Sequence, residues 1–276
     1  QQVLQSAKSQ RVPTMTQLVD LIAINELLGT VESSGDGKNA NLVAQLETES
    51  LAAKAAEFQT TNNDDTIGWI RIPNTNVDYP VVYKAGVENY AYYESKGYDK
   101  QYSKDGVIWA DYECTFPELS QNTTLYGHNW HNIYTPRTQA NMQANDLMFS
   151  LVMSYNYTDF AQENPFIYFS TTEQDYVFQV FASYYTDLNF GYNYAQMSQE
   201  DFQKVIAEAK AKSLSNYNVP VTSEDKIVTL STCTRVHGNT NNQRFVVMAK
   251  LVPVGTPSTT ISTHSNPIAY NSSIDA

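Results

Sequence analysis

Cys233, His128 and Arg244 have side chains that together could carry out acyl transfer. A thiolate attacks an amide carbonyl, an imidazolium protonates the amine that leaves, and a guanidinium stabilises the charge that develops on the carbonyl oxygen. A second amine could then resolve the thioester. The residue types permit this chemistry, and whether the three side chains meet depends on the elements that position them.

Cys233 ends an apolar segment, residues 227–233, that is typical of a strand and is followed by a polar stretch at 234–243. A side chain at a strand end is held rigidly and can still face a cleft, which suits a nucleophile. The alternative for a single cysteine is a buried core residue. That is our interpretation of Cys114, because the neighbouring carboxylate of Glu113 would disfavour a thiolate.

His128 ends another predicted strand and follows Gly127, where the missing side chain would allow close approach of backbone or ligand. On its own, such a histidine could equally be a surface or capping residue. His131 competes with it by sequence. His237 lies in a predicted loop, and His264 lies in the C-terminal tail, so neither is as well placed.

Arg244 begins the strand that follows Cys233, and the short loop between them would bring both residues to the same rim. From that position a guanidinium could hold a substrate carbonyl or stabilise an oxyanion. A solvated arginine is the alternative interpretation. Arg235, two residues after the cysteine, is the competing cation, but it lies in the loop.

Hydrophobic periodicity predicts two helices before a strand-rich region and two within it. Helices are predicted at about 15–28, 41–58, 145–155 and 198–214, the last opened by a capping box at Ser198 and Asp201. Strands are predicted at 67–72, 77–83, 107–112, 123–126, 166–169, 176–185, 227–232 and 245–252. About eight strands with long, unequal connections indicate a closed barrel or a sandwich. We expect a helical segment over 1–63, a strand-rich domain over 64–254 and a polar, loosely ordered tail over 255–276.

The charge and the cysteine content exclude several classes of protein. A net charge of -12 over 276 residues argues against nucleic acid or anionic lipid as a partner, because either needs a basic surface. Two cysteines make no disulfide framework, and no Cys/His spacing predicts a metal site. No apolar run approaches the roughly 20 residues that span a bilayer. Since the chain opens on Gln1, we expect that any membrane anchor has been trimmed away.

Four stretches in the same order resemble the sortase family. TLSTCT at 229–234 and RFVV at 244–247 resemble its cysteine and arginine strands, and the TLSTC form is similar to class B. GWIRIPNTNVDYPVV at 68–82 resembles the opening barrel strands, and LYGHN at 125–129 resembles the histidine strand. The helix at 198–214 is similar to the long helix inserted before the cysteine strand in class B members. The resemblance implies a mainly β fold with added helices, built on an eight-stranded barrel.

The resemblance also implies an activity. A class B sortase would cleave the C-terminal sorting signal of a surface protein and pass the acyl fragment through a Cys233 thioester to an amine, without a cofactor. It would stand on the extracellular face of a Gram-positive cytoplasmic membrane, which it meets only through its anchor. His128, Cys233 and Arg244 take the catalytic positions by motif. The substrate groove is implied to include Tyr126, Ser231, Thr232 and Asn89.

Three alternatives stay open at this point. The acceptor amine could belong to a peptidoglycan cross-bridge or to a pilin lysine, which would make the enzyme a pilin polymerase. The chain could be a cysteine protease that hydrolyses its substrate. It could also be a Tyr-rich surface binding module in which Cys233 is merely buried. Many class B members carry an acid at the position of Arg235, and the loop after His128 is rich in aromatic residues. These two features leave the recognised sorting motif undetermined.

Overall fold

The computed structural model describes residues 42–274, and strands dominate that part of the chain. In chain order, they are β1 (Thr66–Arg71), β2 (Asp78–Val82), β3 (Ile108–Ala110), β4 (Asn122–Tyr126), β5 (Phe166–Thr171), β6 (Val177–Asp187), β7 (Ser215–Tyr217), β8 (Ile227–Cys233), β9 (Gln243–Val252) and β10 (Ile261–Thr263). The three α-helices within the same range are α1 (Leu51–Thr61), α2 (Thr158–Glu163) and α3 (Gln199–Lys212).

Eight strands form a closed barrel in the order β1-β2-β3-β4-β8-β9-β6-β5, with β5 pairing back to β1. The predicted barrel is therefore confirmed, and the sandwich is excluded. Two neighbouring pairs, β2 with β3 and β4 with β8, run parallel, and the others are antiparallel. Parallel neighbours need a long crossover connection, so the segments between β4 and β8 have room for the helices.

The hydrophobic core fills the barrel and continues under the helices. All eleven residues of β6 are buried, because one face of this strand packs inside the barrel and the other is covered by the end of α3 and by β7. Backbone hydrogen bonds hold this cover in place: Leu214 N donates to Ser183 O at 2.8 Å. Apolar side chains inside the core, fully buried or nearly so, include Ile70, Leu125, Phe169, Phe178, Leu230 and Phe245.

The helix predicted at 41–58 starts later than expected, at Leu51. Ser50 is its N-cap, with the hydroxyl oxygen accepting from Ala53 N at 3.1 Å. The residues before it are extended, because Ala44 N donates to Thr256 O and Gly255 N donates to Ala44 O, both at 2.7 Å. These long-range bonds satisfy the backbone that a helix would otherwise use. The helix predicted at 15–28 lies outside the described residues.

The helix predicted at 145–155 is also wrong in type and position. A 3-10 helix runs over Ser150–Asn156, and the short α2 follows it. Met148 has a left-handed backbone with φ of 53°, which no α-helix accommodates. Phe149 N donates to His128 O at 3.0 Å, so this backbone N–H is bonded to the neighbouring loop and not to a carbonyl within a helix. By contrast, α3 confirms the predicted helix, with Ser198 Oγ accepting from Asp201 N at 3.1 Å.

Residues 255–274, which we expected to be loosely ordered, are placed against the barrel. Strand β10 pairs with β7 in a small antiparallel sheet, from Ile261 opposite Tyr217 to Thr263 opposite Ser215. The polar composition of this segment does not reveal the strand pairing, because the hydrogen bonds between paired strands join backbone atoms. The boundaries at residues 63 and 254 stay predictions. Within residues 42–274 no helix has the length and apolar character needed to cross a membrane.

Candidate active site

A cavity of about 380 Å³ opens where β3, β4, β6 and β8 end and β9 begins. Cys233, His128 and Arg244 all line it, and Tyr126, Ser231 and Thr232 line it with them. The fold thus brings together six of the seven site residues predicted from sequence. Asn89 is not among the lining residues. It is exposed, and its side-chain oxygen accepts from Ala91 N at 3.0 Å, while the adjacent Tyr90 reaches the cavity wall.

Cys233 and Arg244 are directly paired residues of the antiparallel β8 and β9. Side chains of such a pair leave the same face of the sheet as close neighbours. Cys233 is a free, partly exposed thiol. Cys114 is also free but is only 2% exposed, and burial raises the pKa of its thiol to about 12, so it is a core residue as expected.

His128 reaches Cys233 through the parallel pairing of β4 with β8, in which Tyr126 lies opposite Ser231. Side chains lock the two chain segments together beyond the strand ends. Thr232 Oγ1 donates to Gly127 O at 2.7 Å, and Asn129 Nδ2 donates to Cys233 O at 3.2 Å. The histidine and the cysteine are therefore fixed on adjoining backbones.

Gly127 allows the packing that surrounds His128. A Cβ at this position would lie 2.5 Å from Ile108 Cδ1 and 2.6 Å from Phe149 Cγ, distances that real Cβ atoms do not tolerate. Both neighbours are completely buried. The groups that approach Gly127 closely are thus the core side chains of Ile108 and Phe149.

The imidazole of His128 is oriented by a hydrogen bond and two aromatic rings. Its Nε2 lies 2.6 Å from Glu94 O, and because a carbonyl only accepts, Nε2 carries the proton. The indole of Trp130 stacks on the ring, with centroids 4.8 Å apart and planes 28° apart, and Trp109 lies at 5.8 Å. Nδ1 is therefore the ring nitrogen left for proton exchange.

The other three histidines occupy different surroundings. His131 is exposed and is absent from the cavity wall. His237 contacts the rings of Tyr185 and Tyr270, and Nδ1 of His264 lies 2.7 Å from Ser213 O. His128 is the histidine that the fold brings to the thiol.

The guanidinium of Arg244 is held by backbone carbonyls. Its Nη1 donates to Asn241 O and to Gln243 O, both at 2.9 Å. Among the described residues, no carboxylate lies within ion-pair distance of Arg244, so its charge is not neutralised by a fixed anion. Arg235 points elsewhere: its Nη2 donates to Asn241 Oδ1 at 2.7 Å, and it is not part of the cavity wall.

The floor of the cavity is a hydrogen-bonded polar group of side chains. Tyr126 OH donates to Asp111 Oδ2 at 2.7 Å and accepts from Asn193 Nδ2 at 3.0 Å. The hydroxyls of Tyr192 and Ser231 are 2.8 Å apart. Burial raises the pKa of the Asp111 carboxyl and the pKa of the Tyr126 phenol. This network holds the two predicted groove residues in fixed rotamers.

Sequence reasoning missed most of the remaining wall. The segment between β6 and α3 contributes Leu188, Phe190, Tyr192, Asn193 and Tyr194. Strand β3 and the loops on either side of it contribute Glu94, Trp109, Asp111, Tyr112 and Glu113. An aromatic-rich loop, LNFGYNY, between a predicted strand and a predicted helix was a usable signal for the first group. The second group gave none, because no local pattern shows which residues of β3 and its neighbouring loops face the cavity.

The comparisons agree with this geometry. The Sortase domain family model matches residues 70–252. The chain is 31% identical over 193 residues to Sortase B of Staphylococcus aureus (strain NCTC 8325 / PS 47), covering 70% of this chain and 72% of that protein. It is 29% identical over 191 residues to Sortase B of Listeria monocytogenes serovar 1/2a (strain ATCC BAA-679 / EGD-e), covering 69% and 71%.

Among solved structures, a Staphylococcus aureus sortase B–substrate complex is similar, with a TM-score of 0.62 and 28% identity. The match covers 75% of this chain and 88% of that one. The matched family region runs from the end of β1 to the end of β9, and it contains the inserted helix α3 and the histidine, cysteine and arginine strands in order. The chain therefore belongs to the sortase family of transpeptidases and, within it, to class B.

Proposed function

We propose that this protein cleaves a C-terminal sorting signal of a surface protein and transfers the acyl fragment, through a thioester on Cys233, to an amine of the Gram-positive cell wall. The observation that carries the proposal is the meeting of Cys233, His128 and Arg244 in one cavity, with the cysteine and the arginine paired across two strands. Membership of the sortase family makes acyl transfer, rather than simple binding, the chemistry to test.

The first half-reaction forms the thioester. The thiolate of Cys233 attacks the carbonyl carbon of the scissile amide, and the carbonyl electrons move to the oxygen. The guanidinium of Arg244 stabilises this oxyanion. The C–N bond then breaks, and the imidazolium of His128 gives its proton to the leaving amine, so that the amine departs neutral.

The second half-reaction reverses these roles. The acceptor amine attacks the thioester carbonyl, and its proton passes to the neutral imidazole of His128. Collapse of the tetrahedral intermediate breaks the C–S bond and returns the thiolate of Cys233. A new amide has formed, and the enzyme regains its starting protonation state. Water in place of the amine would give hydrolysis, which is the cysteine-protease alternative.

The cavity wall suits a peptide with both polar and apolar groups. Tyr126 and Ser231 present hydroxyls at the floor, and the exposed rings of Tyr90 and Tyr194 flank the opening. Thr232 contributes differently, because its hydroxyl donates to Gly127 O and so ties β8 to the segment that carries His128. We assign Tyr126 and Ser231 to substrate contact and Thr232 to alignment of the two strands.

We place the enzyme on the extracellular face of the cytoplasmic membrane of a Gram-positive bacterium. The related sortase B proteins come from Staphylococcus aureus and Listeria monocytogenes, which supports this location. Its partners there would be a surface protein with a sorting signal and an amine acceptor in the peptidoglycan cross-bridge. A pilin lysine is the competing acceptor, and the experiment below separates the two.

The test is a screen of sorting-signal peptides, each offered with a peptidoglycan-type oligoglycine amine, with a lysine-bearing peptide, or with no amine. Products are identified by mass spectrometry. We expect amide products with the oligoglycine acceptor, and none from Cys233→Ala. Cys114→Ala is the matched control and should keep activity, because Cys114 is buried away from the cavity. Product formation by Cys233→Ala would refute the mechanism, and products with lysine alone would assign the enzyme to pilin polymerisation.

A further inference from the structure

The chain continues past the last barrel strand into a segment, residues 255–274, that lies outside the region matched by the family model. We call this segment the C-terminal strap. It runs along β7 and the end of α3: β10 pairs with β7, His264 N donates to Leu214 O at 3.0 Å, and Ile268 N donates to Ala211 O at 2.9 Å. The strap is thus hydrogen-bonded along much of its length to β7 and to the end of α3, which cover β6 of the barrel.

Lys212, the last residue of α3, anchors the far part of the strap. Its side chain is almost fully buried and lies 3.4 Å from Glu208 Oε1. The ammonium donates to Tyr270 O at 3.0 Å and also to Ser272 O. A buried ammonium needs such acceptors to offset its lost hydration, so these bonds fix the backbone around Tyr270.

The ring of Tyr270 stacks on the imidazole of His237, with centroids 4.6 Å apart and planes 6° apart. His237 belongs to the loop at 234–243 that connects Cys233 to Arg244. Tyr185 meets the same imidazole edge-on at 4.8 Å, and Tyr185 is paired with Phe245 in the β6–β9 ladder. His237 is therefore held between the strap and the barrel.

Hydrogen bonds connect His237 to the guanidinium of Arg244. His237 N donates to Gln243 Oε1 at 3.0 Å, and Gln243 Nε2 donates to Gly238 O at 2.8 Å, which closes the loop on itself. Of the two acceptors of Arg244 Nη1, Asn241 O belongs to this loop and Gln243 O belongs to the first residue of β9, whose side chain holds the loop. The conformation of the loop thus sets the direction in which the guanidinium points.

From these contacts we infer that the C-terminal strap, through the stack of Tyr270 on His237, positions the guanidinium of Arg244 for the reaction. The inference rests on the proposed function, because it takes Arg244 to stabilise the oxyanion. Tyr270 touches neither substrate nor reacting atoms and is a positioning residue. Without its ring the loop loses one of its two aromatic contacts at His237, and Asn241 O, the loop carbonyl that orients Arg244, loses its fixed place.

The experiment measures kcat and KM of the full chain with a sorting-signal peptide and an oligoglycine acceptor. An aromatic stack of this kind corresponds to a change of about three- to tenfold in rate, so we expect Tyr270→Ala to lower kcat by that factor with KM nearly unchanged. Tyr270→Phe keeps the ring and should restore kcat. Tyr176→Ala is the matched control, because Tyr176 precedes β6 at the end of the barrel remote from Arg244.

A double-mutant cycle separates positioning from general stability. If Tyr270 acts through Arg244, Tyr270→Ala should cause no further loss in the Arg244→Lys background. His237→Ala should reproduce the loss of Tyr270→Ala, and the two changes together should not add. Because His237→Ala and Tyr270→Ala test the same contact, the experiment still gives an answer if one of these variants folds poorly.

The outcomes distinguish this inference from the function on which it rests. Near-normal turnover by Arg244→Lys would remove the oxyanion role of Arg244 and the strap inference with it. If Arg244→Lys is slow while Tyr270→Ala has wild-type kcat, only the strap inference is overturned. It is equally overturned if the loss in Tyr270→Ala persists in full in the Arg244→Lys background, because the strap would then act through stability alone.

Discussion

Cys233 on β8 and Arg244 on β9 stand directly opposite each other at the rim of the barrel, with ten residues of loop between them. This register matters because both side chains leave the same face of one rigid ladder. The thiol and the cation are therefore aligned by the barrel, and the loop affects only the direction of the guanidinium. A substitution at either position should change chemistry more than folding.

Replacement of Arg244 by lysine should lower kcat by about 10²–10³, because a planar donor fork is exchanged for a point charge that cannot reproduce its geometry at the oxyanion. The measurement is steady-state turnover of a sorting-signal peptide with an oligoglycine acceptor. Arg235→Lys is the control: Arg235 bonds to Asn241 and lies outside the cavity wall, so its replacement should leave kcat within about twofold. Equal losses in both variants would show that the requirement for a guanidinium is not specific to position 244.

Thiol labelling should distinguish the two cysteines of the folded protein. A methanethiosulfonate reagent should modify Cys233, which is partly exposed in the cavity, and should abolish activity. Cys114 should stay unmodified, because it is buried and its thiol has a pKa of about 12. Intact-mass spectrometry before and after denaturation counts the modified thiols. Two labels under native conditions would contradict the burial of Cys114.

The strand residues were the part of this protein most open to prediction from sequence. Apolar runs rich in β-branched and aromatic residues marked the barrel strands. Cys233, His128 and Arg244 stood out because the order of the histidine, cysteine and arginine strands resembles that of the sortase family. Helix limits were harder to predict. Residues 42–50 follow a helical pattern, yet their backbone bonds to residues 255–258, more than 200 positions away in the chain. Periodicity within a short window contains no information about such a partner.

The cavity wall shows the same limit. Asp111 follows β3 and reaches the floor with no local pattern to mark it, and Tyr192 was marked only as part of an aromatic-rich loop after β6. The prediction for Asn89 stays a prediction: the structure places the adjacent Tyr90 in the cavity wall, and Asn89 caps a turn. In a loop without regular structure, neighbouring residues point in unrelated directions, so sequence spacing cannot select between them.

Asp111 should make the stability of the protein depend on pH. Burial raises the pKa of its carboxyl in the folded state above the ordinary value of 3.8. At pH values between the pKa of this carboxyl in the unfolded state and its pKa in the folded state, the folded state binds more protons than the unfolded state. The contribution of this group to the free energy of unfolding therefore falls as pH rises. Asp111→Asn cannot ionise, and it should therefore gain stability relative to the wild type as pH is raised through that window.

Urea unfolding of both proteins from about pH 3.5 to pH 7 measures this difference. Tyr126→Phe serves as a control, because it removes the hydroxyl that donates to Asp111 Oδ2 and should strengthen the pH dependence. A difference between the wild type and Asp111→Asn that stays constant over the range would mean that Asp111 titrates as an ordinary carboxyl.

Trp130 should contribute to turnover through its stack on His128. The indole lies 4.8 Å from the imidazole centroid, and its Nε1 donates to Lys104 O at 3.1 Å, which fixes the indole against a neighbouring loop. Loss of an aromatic contact of this size corresponds to about 0.5–1.5 kcal/mol, so we expect Trp130→Ala to lower kcat about three- to tenfold. Trp130→Phe keeps a stacking ring and should recover most of the loss.

The division of the Trp130→Ala effect between kcat and KM decides what the indole does. Trp130 is 44% exposed and could in principle contact substrate, in which case its removal would raise KM and leave kcat unchanged. If the indole instead orients His128, kcat falls because the imidazole no longer points Nδ1 at the reacting atoms, while KM is little altered. Glu94 O still accepts from Nε2 in this variant, so the proton stays on the same nitrogen and the loss is one of orientation rather than of tautomer.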